Sequence, residues 1–125
     1  SEQCCLHEKK VCLEIGFGLG DNLLTNAAKF PDQLYLGSEI HQPGVGTAVM
    51  RMESAIESKN HWVGQIWSDG DDKEKPSLGQ NLSSLKYVDE TTPRRLYDNL
   101  RIYAGDGVKF LDFLPDKSID EMYLT

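Results

Sequence analysis

Short apolar runs alternate with amphipathic stretches along this 125-residue chain. Runs such as VCLEI and LRIYA are typical of buried strands, whereas LLTNAAKF and VKFLDF have the spacing of amphipathic helices. The pattern predicts strands at about residues 10–16, 33–39 and 100–104 and from Ile119, and helices at about 21–30, 45–57 and 107–113. This alternation indicates a parallel sheet with right-handed crossovers, so the predicted fold class is α/β and Rossmann-like.

Residues 60–98 interrupt this alternation. They include SDGDDKEKPSLGQNLSS, a composition that predicts a solvated insertion with little fixed structure. We therefore expect residues 1–125 to form one partial domain that contains a polar insertion. The strand that begins near Ile119 would leave an uncovered apolar edge. We accordingly expect the sheet to be truncated after about four strands and the chain to be the first half of a larger domain.

The turn after the first predicted strand carries the most informative residues. Residues 11–20 read VCLEIGFGLG, with glycine at positions 16, 18 and 20. Glycine adopts positive φ and lets a ligand approach the main chain closely. Glu39 ends the next predicted strand, where a carboxylate can accept hydrogen bonds from a ribose diol. An adenosine-containing cofactor is therefore the predicted ligand.

Two details of this turn distinguish between adenosine cofactors. Its G-x-G-x-G spacing departs from the G-x-G-x-x-G of dinucleotide sites, and a carboxylate of Asp21 at the helix N-cap would repel a pyrophosphate. Glu14, two residues before the first glycine, suits the α-ammonium and sulfonium groups of S-adenosylmethionine. The turn therefore favours S-adenosylmethionine, and a NAD-dependent oxidoreductase is the alternative.

Composition narrows the choice of partners and compartment. The 13 Lys and Arg against 20 Asp and Glu give a net charge of −7, so contacts to nucleic-acid phosphates are expected mostly outside this stretch. No apolar run reaches about 18 residues, so no membrane partner is predicted. Three cysteines without a convincing pairing favour a reducing, intracellular compartment, cytoplasmic or nuclear. No metal site is predicted, because the adjacent Cys4 and Cys5 lack C-x-x-C spacing.

Several segments together resemble the tRNA (guanine-N7-)-methyltransferase family, most closely its bacterial-type branch. They are LEIGFGLG (13–20), LGSEIHQPGVG (36–46), NLRIYAGDGVKFL (99–111) and LPDKSIDEMYL (114–124). The E-I-G-x-G motif is shared by many methyltransferases, whereas E-x-H-x-P-G-V-G at this place after it is much more specific. The resemblance covers nearly the whole chain apart from the insertion.

The resemblance implies a class I S-adenosylmethionine-dependent methyltransferase that methylates N7 of a guanine in the variable loop of tRNA. It implies that Glu14, Gly16 and Gly18 line the methionine end of the cofactor. Glu39 would bind the ribose hydroxyls, and Ile40, Asp106 and Gly107 would surround the adenine. The family's F-P-D-P-W motif, with its proposed catalytic Asp, should begin at Thr125, so the catalytic residue is expected just after that position. Eukaryotic members work with a β-propeller subunit and bacterial members act alone, so the resemblance implies tRNA as the substrate and a β-propeller partner only if the protein is eukaryotic.

Simpler interpretations of these residues stay open. Glu14 could support the glycine turn only, Glu39 could cap a strand or pair with Arg51 or Lys29, and Asp106 could serve only as a helix cap. If the turn binds no cofactor, the chain fits a third class of protein, a non-catalytic methyltransferase-like scaffold subunit.

Overall fold

A computed structural model of the chain describes residues 6–55, 66–68, 87–89 and 96–124. Within those ranges the strands are β1 (Leu6–Glu8), β2 (Val11–Ile15), β3 (Leu34–Ser38), β4 (Ile66–Ser68), β5 (Tyr87–Asp89), β6 (Leu100–Ala104) and β7 (Glu121–Leu124). The helices are α1 (Asp21–Lys29), α2 (Gln42–Ala55) and α3 (Gly107–Phe113).

Five of the strands form one parallel sheet in the order β4-β6-β3-β2-β7. Strand β2 lies between β3 and β7 and pairs with both, so that Leu13 lies opposite both Leu36 and Met122. The strand order therefore reverses at β2. In open α/β sheets, ligands bind outside the carboxyl ends of the strands at such a switch point. The remaining pair, β1 and β5, forms a separate antiparallel ladder.

Helices cover both faces of the sheet, which explains why its strands are apolar on both sides. On one face, buried residues of α1 and α2 pack against alternate residues of β2, β3 and β6, including Leu23, Ala48, Met52, Cys12 and Tyr35. On the other face, α3 packs against the residues between them, including Val11, Leu13, Leu34, Leu36 and Phe110. The rings of Tyr103 and Phe110 stack there with centroids 4.7 Å apart.

Asn99 joins the end of α1 to the sheet. Its side-chain amide donates to the main-chain carbonyls of Ala27, Phe30 and Gln33 at 2.9, 3.1 and 2.9 Å. The main-chain carbonyl of Asn99 accepts from the amide of Tyr35. These carbonyls lie at the end of α1 and in the turn after it, where the helix leaves acceptors without partners. The buried Asn99 therefore fixes the position of α1 over the sheet.

The predicted α/β, Rossmann-like fold class is confirmed. The four predicted strands correspond to β2, β3, β6 and β7, and β4 adds a fifth strand at one edge. Both β4 and β5 lie within residues 60–98, for which little fixed structure was predicted; apart from these strands and the turn that starts at Leu96, that segment lies outside the described residues. Among the described residues, no helix is long and apolar enough to cross a membrane.

Two local predictions were wrong. The segment HQPGVG was predicted as a turn ahead of a helix starting at Val45, but α2 begins at Gln42. Pro43 lies in its first turn, where a missing amide hydrogen leaves no helical hydrogen bond unmade. Asp21 was predicted as the N-cap of α1, but Gly20 holds that position and Asp21 is the first helical residue.

Candidate functional site

The glycine turn after β2 uses left-handed backbone at each of its glycines. The φ angles of Gly16, Gly18 and Gly20 are +77°, +63° and +90°, a region in which side chains are strained. The amides of Gly16 and Phe17 donate to the carbonyl of Ser38 at 2.8 and 3.3 Å. The predicted turn is therefore present, and it is held against the carboxyl end of β3.

Glu39 links the glycine turn to the start of α2. One oxygen of its carboxylate accepts the amide of Gly18 at 2.7 Å and the other accepts the amide of His41 at 3.0 Å. Each carboxylate oxygen has a further acceptor site, so these bonds leave capacity for a ligand hydroxyl. The alternative pairing with Arg51 is wrong, because that guanidinium donates to Asp21 and to the carbonyl of Leu19 at 2.6 and 3.1 Å.

Glu14 is a buried carboxyl group next to the same turn. Its residue is 6% exposed and lies on β2 in register with Gly37 of β3. Within the described part of the chain, its carboxylate has no hydrogen bond and no ion pair. Burial therefore raises the pKa of Glu14. A cation placed beside this group would stabilise its charged form.

A pocket of about 180 Å³ opens between the carboxyl ends of the strands and the start of α3. It is lined by Ile15, Gly16, Ser38, Glu39, Ile40, Gly105, Asp106 and Gly107. Ile40 is an exposed apolar side chain at its edge, with 68% of its surface accessible. The pocket therefore combines an apolar surface with carboxylates from two loops.

Two glycines let backbone segments meet around this pocket. A Cβ atom on Gly107 would lie 2.6 Å from Cγ2 of Ile15 and 2.9 Å from Oγ of Ser38. A Cβ atom on Gly44 would lie 2.5 Å from the carbonyl oxygen of Gly18. All three distances are shorter than real contacts allow, so α3 and α2 reach the sheet and the glycine turn only because these positions lack side chains.

The structure brings most of the predicted site residues together. Gly16, Glu39, Ile40, Asp106 and Gly107 line the pocket, and Gly18 is joined to it through Glu39. Asp106 also caps α3, because its carboxylate accepts the amide of Val108 at 2.9 Å. Asp106 therefore serves as a helix cap, as the simpler interpretation of this residue predicted. Glu14 lies beside the turn and is not among the residues that line the pocket.

Sequence reasoning missed the contribution of Ser38. Its carbonyl holds the glycine turn and its side chain is fully buried next to Gly107. The available signal was the strand LYLGS, since period-two alternation places Ser38 on the same face as Leu36 at the carboxyl end of β3.

A larger groove lies away from these residues. It has a volume of about 530 Å³ between α1 and α2, is lined by Leu24, Thr25, Ala28, Lys29, Arg51 and Tyr97, and contains none of the predicted site residues. Because most of its lining side chains are exposed, the smaller pocket at the switch point is the better candidate site. No group of three or more potential metal-ligating His, Cys, Asp or Glu residues occurs among the residues that the structure describes.

Comparison with known proteins finds similarity to methyltransferases. A family model described as "Putative methyltransferase" matches residues 8–125. The tRNA (guanine-N(7)-)-methyltransferases of Idiomarina loihiensis and Yersinia enterocolitica are 48% and 50% identical over 48 residues, 38% of this chain and 20% of each relative. That of Pectobacterium atrosepticum is 56% identical over 39 residues, 31% of this chain and 16% of the relative. The chain thus matches about a fifth of the length of these curated relatives.

Proposed function

This chain belongs to the methyltransferase family whose model it matches over residues 8–125, and we propose that it is the cofactor-binding part of a tRNA (guanine-N7-)-methyltransferase. Membership of the family implies a methyl donor, and we propose S-adenosylmethionine for that role. The substrate is proposed from the relatives, which are named for tRNA guanine-N7 methylation.

The residues present suit that cofactor. Its sulfonium and α-ammonium groups are positively charged, and the buried Glu14 is a carboxylate without a cation partner in the described structure. Glu39 retains acceptor sites for ribose hydroxyls next to the glycine turn. The exposed Ile40 offers an apolar surface for the adenine ring at the pocket edge. Asp106 and Gly107 close the same pocket from the start of α3.

The single observation that carries the proposal is the position of the Glu39 carboxylate. It bridges the amides of Gly18 and His41 at the carboxyl ends of β2 and β3, between the glycine turn and the pocket. An acidic residue at the end of this strand is suited to a ribose diol. The family match adds the type of reaction.

Methyl transfer to N7 of guanine depends more on the positioning of the two reactants than on proton transfer. Bound S-adenosylmethionine supplies an electrophilic methyl group on a sulfonium sulfur. The guanine N7 lone pair exists in the neutral base, so no residue needs to remove a proton. This chain's turn and pocket would fix the cofactor, and correct alignment of reactants supplies much of a displacement's rate. The catalytic Asp that the resemblance implies is expected just after Thr125, where its charge could stabilise the cationic methylated base.

A methylation assay on the intact protein tests this function. Purified protein is incubated with radiolabelled S-adenosylmethionine and tRNA that carries either guanine or 7-deazaguanine in the variable loop. We expect label in the guanine tRNA and none in the 7-deaza form, which lacks the accepting nitrogen. Equal labelling of both would place the methyl group elsewhere. No labelling together with tight binding of S-adenosylhomocysteine would favour a scaffold subunit.

A further inference from the structure

The side chain of Ser38 is a buried polar group whose role the fold does not explain. The residue is fully buried at the carboxyl end of β3, and its hydroxyl has no hydrogen-bond partner among the described residues. A buried hydroxyl without a partner is unfavourable relative to one that is hydrogen-bonded, because it has lost its bonds to water and gained none. The expectation for such a group is an unseen partner or a functional role.

Within the described ranges, no neighbouring group forms a hydrogen bond with this hydroxyl, although the carboxylates of Glu39 and Asp106 line the same pocket. Ser38 lines the pocket with Ile15 and Gly107, and its Oγ lies close to where a Cβ atom of Gly107 would be. The aliphatic Ile15 has no polar side-chain atom, and glycine has no side chain at all. A polar atom of a ligand in the pocket is therefore a natural partner for Ser38.

The volume of the pocket indicates which part of a ligand it can hold. Its volume of about 180 Å³ is smaller than the roughly 300–1,000 Å³ of sites that enclose whole ligands. It therefore has room for only part of a ligand, about the size of one ring system. Glu39 lies at the same pocket, where a ribose is proposed, and Ile40 offers an apolar side chain for a ring face. A base attached to that ribose would extend towards Ser38.

We infer that the Ser38 hydroxyl is a specificity-determining contact for the cofactor, hydrogen-bonded to a polar atom on the edge of its adenine ring. The inference rests on the proposed function and assigns it a residue beyond those already named. The contact requires the hydroxyl to turn about χ1 from its buried position towards the pocket, and the staggered rotamers are the positions available to it. The adenine edge then supplies a hydrogen-bond partner that the hydroxyl does not have among the described residues.

The test compares binding of S-adenosylhomocysteine to the intact wild-type protein and to Ser38→Ala by calorimetry. We expect the variant to bind about three- to tenfold more weakly, the range of one hydrogen bond. Its melting temperature without ligand should be equal or higher, because the substitution removes a buried hydroxyl that has no partner. A purely structural serine would give the opposite pattern, with lower stability and unchanged affinity.

Base-modified ligands identify the contact. S-adenosylhomocysteine analogues that lack the 6-amino group or a single ring nitrogen are compared on both proteins. One analogue should lose affinity for the wild type and lose none for Ser38→Ala, because the contact it lacks is already absent there. Equal losses on both proteins for every analogue would overturn the inference.

Ser118→Ala is the matched control. Ser118 is also buried and its hydroxyl has no partner among the described residues, but it lies just before β7, at the amino end of the sheet. We expect its affinity for S-adenosylhomocysteine to equal that of the wild type. Unchanged binding by Ser38→Ala would overturn this inference alone, whereas a wild type that binds no adenosine ligand would overturn the proposed function with it.

Discussion

The carboxylate of Glu39 accepts the amide hydrogens of Gly18 and His41, so one side chain joins the glycine turn, the end of β3 and the start of α2. The structure thus gives Glu39 a positioning role in addition to its proposed contact with a ribose. At the residue scale, the two roles have different consequences: the first affects the folded protein without ligand, and the second affects only binding.

Glu39→Ala should weaken binding of S-adenosylhomocysteine by at least about tenfold, or 1.4 kcal/mol, because it removes the proposed ribose acceptor and leaves the amides of Gly18 and His41 without this carboxylate. Calorimetry on the intact protein measures the dissociation constant. Glu53→Ala is the control, since it removes the same charge from an exposed position on α2. An unchanged dissociation constant in Glu39→Ala would contradict the assignment.

The buried carboxyl group of Glu14 leads to a prediction about how stability depends on pH. Because burial raises its pKa in the folded protein above its unfolded value, the folded state holds the proton more tightly. Its contribution to the free energy of unfolding is therefore greatest at low pH and is lost as pH rises through the folded pKa. Glu14→Gln, which stays uncharged, should match the wild type near pH ~4 and be more stable near pH ~7, the range spanning ordinary glutamate titration.

Denaturant unfolding of both proteins at several pH values measures this difference. The quantity of interest is the gap between variant and wild type, because other carboxylates titrate equally in both. A gap that is the same at all pH values would show that Glu14 does not titrate differently in the folded state.

At the scale of elements, close approach of main chains decides the geometry of the site. Helix α2 starts at Gln42, and Gly44 in its first turn lies against the carbonyl oxygen of Gly18. The glycine turn is therefore held between β3 and α2. Gly46 lies in the same helix and is exposed, and a Cβ atom there would have no described atom within 4 Å beyond its chain neighbours and the nearby backbone of the helix itself. The two glycines form a matched pair for experiment.

Gly44→Ala should destabilise the protein by about 1–3 kcal/mol, the typical cost of overpacking, and should weaken binding of S-adenosylhomocysteine because the glycine turn must shift. Gly46→Ala should instead stabilise α2 by about 0.5–1 kcal/mol, since alanine is the better helix former. Thermal melts and calorimetry on both variants check the pair. Destabilisation by both would indicate that α2 tolerates no added side chain anywhere in its first turn and a half.

At the scale of the whole molecule, the sheet reverses its strand order at β2 and collects its loops at one end. The glycine turn follows β2, Glu39 follows β3, and Asp106 follows β6. A ligand at this end therefore contacts three segments that are far apart in sequence. Binding to such a site stabilises the fold as a unit, because the unfolded chain has no equivalent site.

S-adenosylhomocysteine at about 100 times its dissociation constant should stabilise the intact protein by about 2.7 kcal/mol, and NAD at the same concentration should have no effect. A thermal-shift titration measures both. A response to NAD alone would support the oxidoreductase alternative and would contradict the proposed cofactor.

The amino-acid sequence by itself determined the α/β class, four of the five parallel strands, and the glycine turn with its acidic partner. These features follow from local pattern: apolar runs bury on both faces of a covered sheet, and alternating glycines permit positive φ. Local sequence signals did not predict the secondary structure at two places where it depends on neighbouring elements. Pro43 was placed in a turn although it lies in the first turn of α2, and the short strand β4 lies within a polar segment and pairs with β6.

Only the tertiary structure decided how the site is assembled. No local pattern indicates that Glu39 reaches back to Gly18, that Arg51 pairs with Asp21, or that the buried hydroxyl of Ser38 has no partner in the described part of the chain. These contacts join segments that are distant in the chain, and they depend on the strand order and on how closely the helices approach the sheet. Sequence spacing can place a residue at the end of a strand, but packing between elements determines what its side chain meets.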